Sequence, residues 1–265
     1  MRVSLAPHQV AMLRFSRGLR PRLVERKRID CARTDGADRH TAPWSGAIDA
    51  LGEMLAHPNV GRAHANVVLS SHFVRYMSVP WNAALVTPGE ELAFARSRFV
   101  QVYGEAAQDW TLRLSPAPAG AARLAAAVDR TLIDRLGAAI GASPLRLDSV
   151  QPALMACFND WRRSIGNDAW LVLVERGRLL VALIANGEWR AVRARPVNGA
   201  TVALADVIEQ ERLLLSVAPG VSRVCLAVAD EVSVDASGVR VERLGGGPST
   251  PTGGGFALAM AGAAS

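Results

Sequence analysis

Two stretches of the chain share one grammar and constrain its fold more than any other feature. Val3–Ala6, Gln9–Phe15 and Leu23–Ile29 are strand-forming runs split by Pro7-His8 and by the turn-rich residues 17–21. Trp170–Glu175, Leu179–Asn186 and Trp189–Arg195 repeat that meander, joined by Arg176-Gly177-Arg178 and by Asn186-Gly187, a strong hairpin signal. In the first half a helix over Gly46–His57 follows, with Ser45 as its cap and Ile48, Leu51, Met54 and Leu55 on one face, and then a buried strand over Asn66–Leu69. The second half continues with a helix over Val202–Leu215 and a strand over Val224–Ala229. A meander, a helix and a buried strand, twice over, predict a duplicated α/β architecture whose halves face each other across a cleft.

Between the two meanders the pattern predicts a strand over Phe73–Val79 and a helix from Pro88 to Tyr103. Thr87, Pro88 and the acids Glu90 and Glu91 mark the start of that helix. Strands over Trp110–Leu114 and Arg123–Val128 follow, then a helix capped by Asp129 and running to Gly141, a strand from Leu145 to Leu147, and a helix over Gln151–Ser164. Near the end come a hairpin-like pair around Asp235–Gly238, a Gly-, Pro-, Ser- and Thr-rich loop over Gly245–Gly255, and a short apolar helix over Phe256–Ala264.

With 265 residues, half of them hydrophobic, the chain is large enough to bury a core in one big domain or two lobes, which excludes general disorder. Thirty basic against 24 acidic residues give +6. Lys27 is the only lysine and the arginines are scattered, so nucleic-acid binding is not expected. One local cluster, Arg17, Arg20, Arg22, Arg26, Lys27 and Arg28, reads either as a charge-guarded strand edge or as a face for acidic lipid or an acidic partner. Met1–Ala11 does not read as a secretory signal and no apolar run is long enough to span a bilayer, so a cytoplasmic protein is expected. Cys31, Cys157 and Cys225 form no CxxC and read as buried thiols. None of His8, His40, His57, His64 and His72 has zinc-helix spacing, and His64 and His72 sit at opposite ends of one strand. Of the six tryptophans, Trp81 is the expected surface anchor for a partner.

The runs Arg123–Gly141 and Leu145–Leu154, the segment Val67–Pro80 and the hairpins between Trp170 and Gly199 together resemble the actin-like pilus assembly proteins of the PilM type. They are similar also to the cytoplasmic domain of the type II secretion protein GspL. The resemblance implies an α/β, two-lobed actin-like fold of the duplicated ribonuclease H-like kind. Residues 1–147 would form the first lobe, with a small subdomain inserted at about 73–119. Residues 148–265 would form the second, its last helix, 256–264, packing back at the lobe interface.

In actin-like ATPases the first hairpin turn of each lobe carries Asp-x-Gly: glycine admits backbone N–H groups to phosphate, and the acid holds metal-bound water. Here the first turn, Pro7-His8, has neither acid nor glycine, and Pro7 removes a donor. The second keeps Glu175 and Gly177 between two arginines. If a nucleotide binds, the expected contacts are Glu175 and Gly177, with Gly254 and Gly255 ahead of the last helix. The expectation is therefore a non-catalytic scaffold of type IV pilus or type II secretion assembly, with no cofactor. It would lie at the cytoplasmic face of the inner membrane, bind the cytoplasmic tail of a bitopic membrane partner, and be capable of self-association. The alternative is a divergent actin-like ATPase or sugar-kinase-like enzyme using ATP.

Overall fold

The computed structural model describes residues 1–16, 18, 22–31, 42–56, 61–197, 201–215, 221–230 and 232–245. Two five-stranded sheets of identical order dominate it. In the first, β1 (Arg2–Ala6), β2 (Gln9–Phe15) and β3 (Leu23–Asp30) form the antiparallel meander. β4 (Ala63–Leu69) joins β1 in parallel and β8 (Leu145–Pro152) joins β4, giving the order β3-β2-β1-β4-β8. In the second, β9 (Ala169–Glu175), β10 (Arg178–Ala185) and β11 (Glu188–Pro196) form the meander, and β13 (Val224–Val228) and β15 (Val241–Leu244) extend it in parallel, giving β11-β10-β9-β13-β15.

Burial follows strand position. Every residue of β9 is buried, as expected of a central strand covered on both faces. β3 lies at a sheet edge and alternates exposed with half-buried positions, Arg26 and Arg28 exposed and Lys27 half-buried, and charge there discourages a further strand from adding. Arg14 pairs with Glu25 at 2.9 Å and Arg28 with Asp30 at 3.6 Å along it. At the Asn186-Gly187 turn both residues have positive φ, 55° and 74°, the requirement of a type I′ hairpin.

The helices lock the lobes. α1 (Ser45–Leu55) packs on β2 and β3 and against α3 (Arg130–Gly141). Trp44, not Ser45, is the N-cap of α1; its indole N–H donates to Asp129 Oδ2 at 3.0 Å, so a tertiary bond fixes the helix start where a local side-chain cap was expected. Asp129 Oδ1 meanwhile accepts from Thr131 N–H and caps α3. α4 (Ala153–Ile165) passes between the sheets, contacting β4, β8 and β9. Its Leu154, Cys157 and Ile165 enter one continuous core with Leu5 and Val67 of the first sheet and Leu171 and Leu180 of the second. A smaller core under α5 (Leu204–Leu214) holds Trp170, Val172, Leu183 and Ile208.

Four elements differ from the sequence expectation. β7 (Arg123–Val128) belongs to a separate antiparallel sheet, β5-β7-β6, with β5 (Val74–Val79) and β6 (Thr111–Leu114). With α2 (Pro88–Tyr103) packed on it through Ala95 and Phe99, this small unit runs to Val128, past the expected limit of 119. Likewise β8 continues to Pro152 on the first sheet, so a lobe boundary at 147 divides a strand, and Gln151 and Pro152 pair with β4 before the helix begins. Thr201–Ala203 forms β12, paired in parallel with β14 (Ser233–Asp235); that pairing takes Val202 and Ala203, expected to open the helix. The strands around Asp235–Gly238 are no hairpin: β14 pairs with β12 and β15 with β13. The expected helix 256–264 lies outside the described residues.

Leu154→Ala removes a fully buried side chain at the junction of both sheets and α4. It is expected to lower the unfolding free energy by about 2–5 kcal/mol in urea denaturation. Val86→Ala, at a position 84% exposed, should change it by less than about 0.5 kcal/mol.

Candidate functional site

The lobes meet through four backbone segments that the duplication places symmetrically. In each lobe the first strand ends in a two-residue turn, Pro7-His8 in one and Arg176-Gly177 in the other. Each lobe's fourth strand ends beside that turn, Ser70 N–H donating to Leu5 O and Ala229 N–H to Val174 O, both at 2.8 Å. Ser71 and Asp230 are therefore equivalent positions, and each faces the turn of the opposite lobe.

Glu175, at the start of the second turn, is 1% exposed. The hydroxyl of Ser70 donates to its Oε2 and that of Ser71 to Oε1 at 2.5 Å, while Ser71 N–H spans both oxygens at 3.0 and 3.1 Å. Asp230 answers from the other side. Its Oδ1 accepts from Gln9 Nε2 at 2.7 Å and its Oδ2 from Arg176 N–H at 2.9 Å, with His8 Nε2 3.5 Å away. His72 Nε2 completes the ring on Arg176 O at 3.0 Å.

Electrostatics separate the two acids. Burial pushes the Glu175 carboxyl above its ordinary value, and the bonds from Ser70 and Ser71 only partly offset this. Burial also works against ionised Asp230, but His8, Arg176 N–H and Gln9 together prevail and hold its carboxyl below the ordinary value. His72 is pushed down, chiefly by burial. Cys31, on the cleft wall, is raised to about 11 by burial, so it is a thiol and a poor nucleophile near neutral pH.

Around these contacts opens a cleft of about 940 Å³ lined by His8, Arg28, Cys31, His72, Gly177 and Asp230 among others. Of the expected nucleotide contacts, Gly177 reaches its rim with φ +76°. Glu175 lies beneath it with both oxygens occupied, and Gly254 and Gly255 lie outside the described residues. The Arg176 amide, the donor a phosphate would use, is committed to Asp230. Among the described residues no group of three or more His, Cys, Asp or Glu side chains is placed to hold a metal ion.

Sequence reasoning missed Asp230 and the partners of Glu175. Superposing the two halves strand by strand sets Asp230 at the end of the fourth strand of its lobe, a position readable from the pattern. That it faces Gln9 and His8 depends on how the lobes meet. Of the tryptophans, Trp81 is 47% exposed, whereas Trp170 is core at 1%.

This fold and cleft define a class, the two-lobed actin-like α/β proteins. The cytoplasmic domain of EpsL, an inner membrane component of the type II secretion system of Vibrio cholerae, aligns over 99% of this chain and 93% of its own, with 13% identity and a TM-score of 0.57. A chain of a PilM–PilN type IV pilus biogenesis complex aligns over 82% of this chain and 65% of its own, with 15% identity and a TM-score of 0.53. A Bacteroides thetaiotaomicron protein with an actin-like ATPase fold and unknown function aligns over 88% and 82%, with 8% identity and a TM-score of 0.53. At these identities the likeness establishes the fold. No protein-family model matches the chain, and neither does any curated protein.

The opposed shifts of the two acids give a pH signature. A raised Glu175 pKa means a stability contribution present below its ordinary value of 4.5 and lost as pH rises through the folded-state pKa. Glu175→Gln is expected to flatten that limb of the curve of unfolding free energy against pH. Asp230 does the reverse, contributing above its ordinary 3.8 and losing that contribution as pH falls through its lowered value. Asp230→Asn should therefore destabilise at neutral pH and weaken the acid limb.

Proposed function

We propose that the chain is a non-catalytic actin-like scaffold of type IV pilus or type II secretion assembly, acting at the cytoplasmic face of the inner membrane. There it binds the cytoplasmic tail of a single-span partner. The observation that carries this reading is the commitment of the turns. Pro7 offers no N–H, the Arg176 N–H is bonded to Asp230, and the oxygens of Glu175 are filled by Ser70 and Ser71. A phosphate or a hydrated metal ion would have to break buried, charge-assisted bonds to enter, each worth about 1.5–3 kcal/mol. The fold likeness to EpsL and to PilM supports the assembly setting. Among the described residues no helix is long and apolar enough to cross a membrane.

The competing reading, an ATPase or sugar-kinase-like enzyme, has in its favour the cleft of about 940 Å³ beside Gly177. Thermal unfolding separates the two. Saturating Mg·ATP is expected to move Tm by less than about 1 °C, whereas tight binding at 100 times Kd would add about 2.7 kcal/mol and raise Tm by several degrees. In parallel, calorimetric titration with the synthetic cytoplasmic tail of a single-span protein encoded beside this chain is expected to show one-to-one binding. Absence of heat with every such tail, together with ATP turnover, would replace the scaffold by the enzyme.

A further inference from the structure

Away from the interlobe cleft, a groove of about 400 Å³ lies where the small sheet abuts the second lobe. β5 and β11, each the last strand of its sheet, pack side by side there without hydrogen-bonded pairing. Four arginines line it: Arg75 of β5, Arg178 of β10, and Arg193 and Arg195 of β11. Among the described residues a single carboxylate lines the groove with them. Glu211 of α5, 2% exposed, lies 3.3 Å from Arg193 and 3.4 Å from Arg195 and so serves both.

Among the described residues Arg75 and Arg178 have no such partner, and Arg75 is bonded only to the carbonyls of His72 and Val74. Arg178 Nε is buried without a hydrogen-bond partner among the described residues. Burial and then the nearby positive charge of Arg75 both work against the charged form of Arg178, with only partial compensation from Glu175 beneath. Two half-buried like charges with an unfilled donor are costly unless an anion closes them.

We infer that this groove is the docking site of an extended acidic peptide segment of a partner protein, whose carboxylates pair with Arg75 and Arg178. Charge selects the occupant. The chain's own residues 246–265 contain no Asp or Glu. Shape and surface select a peptide over a small anion. Tyr103 and Leu214, 39% and 61% exposed, stand on the groove wall and offer apolar contact between the carboxylate positions. Guanidinium groups bind carboxylates in a bidentate manner, which fixes the peptide's register. The inference goes beyond the scaffold reading and does not depend on which machine the chain serves.

The test is fluorescence polarisation with a short labelled peptide alternating glutamate and leucine, alongside its glutamine–leucine analogue. The full chain is expected to bind the acidic peptide in a salt-sensitive way and to ignore the analogue. Arg75→Gln/Arg178→Gln should weaken binding by about 30-fold or more, while Arg163→Gln on the exposed end of α4 leaves it unchanged. Because the double variant removes repulsion and an unfilled buried donor, its Tm should equal or exceed that of the parent, which separates lost recognition from lost folding. Equal affinity of parent and double variant would overturn the inference, as would equal binding of both peptides. Full displacement by inorganic phosphate at matched charge would point to a small-anion site, and binding only to phosphatidylglycerol vesicles to a membrane; either outcome overturns the peptide assignment.

Discussion

The two halves of this molecule hold each other by exchange: the first turn of each lobe is gripped by the end of the other lobe's fourth strand. In one direction the acid is on the turn and the donors are on the strand end, Glu175 with Ser70 and Ser71. In the other the acid is on the strand end and the donors are in and around the turns, Asp230 with Gln9, His8 and the Arg176 N–H. Burying a carboxylate costs several kcal/mol, and charge-assisted hydrogen bonds return about 1.5–3 kcal/mol each, so the clasp is near balance in energy. Its effect is on geometry. Stability comes from the continuous apolar core around α4, and the clasp decides how the lobes sit on that core.

The same contacts decide what the cleft can do. A turn that cradles phosphate needs free N–H groups and a glycine that lets them converge. Here one turn has a proline in that place and the other has given its amide to Asp230. Trp81 is exposed away from the cleft, and the arginine groove lies beside the small sheet.

Much of the fold was legible in the sequence because its signals are local. The Asn186-Gly187 turn, the Thr87–Glu90 capping box and the seven buried residues of β9 are each specified by a few adjacent side chains. What was not legible depends on distant partners. β7 reads as a lobe strand until β5 and β6 claim it, and Val202 and Ala203 read as helical until β14 pairs with them. Trp44 starts α1 through Asp129, 85 residues away. For the site, Glu175 and Gly177 stood out by residue type, but the saturation of Glu175 comes from serines 104 and 105 positions earlier, and Asp230 has no local motif at all.

The clasp itself is most directly tested by amide hydrogen exchange, resolved by NMR, at Ser71 and Arg176. Both N–H groups donate to buried carboxylates, so they are expected to exchange as slowly as the central strand β9, with rates unchanged when Mg·ATP is added. Fast exchange at either amide, or a change at Arg176 on adding nucleotide, would mean that the turns are open to a ligand and that the lobes are not held in this way.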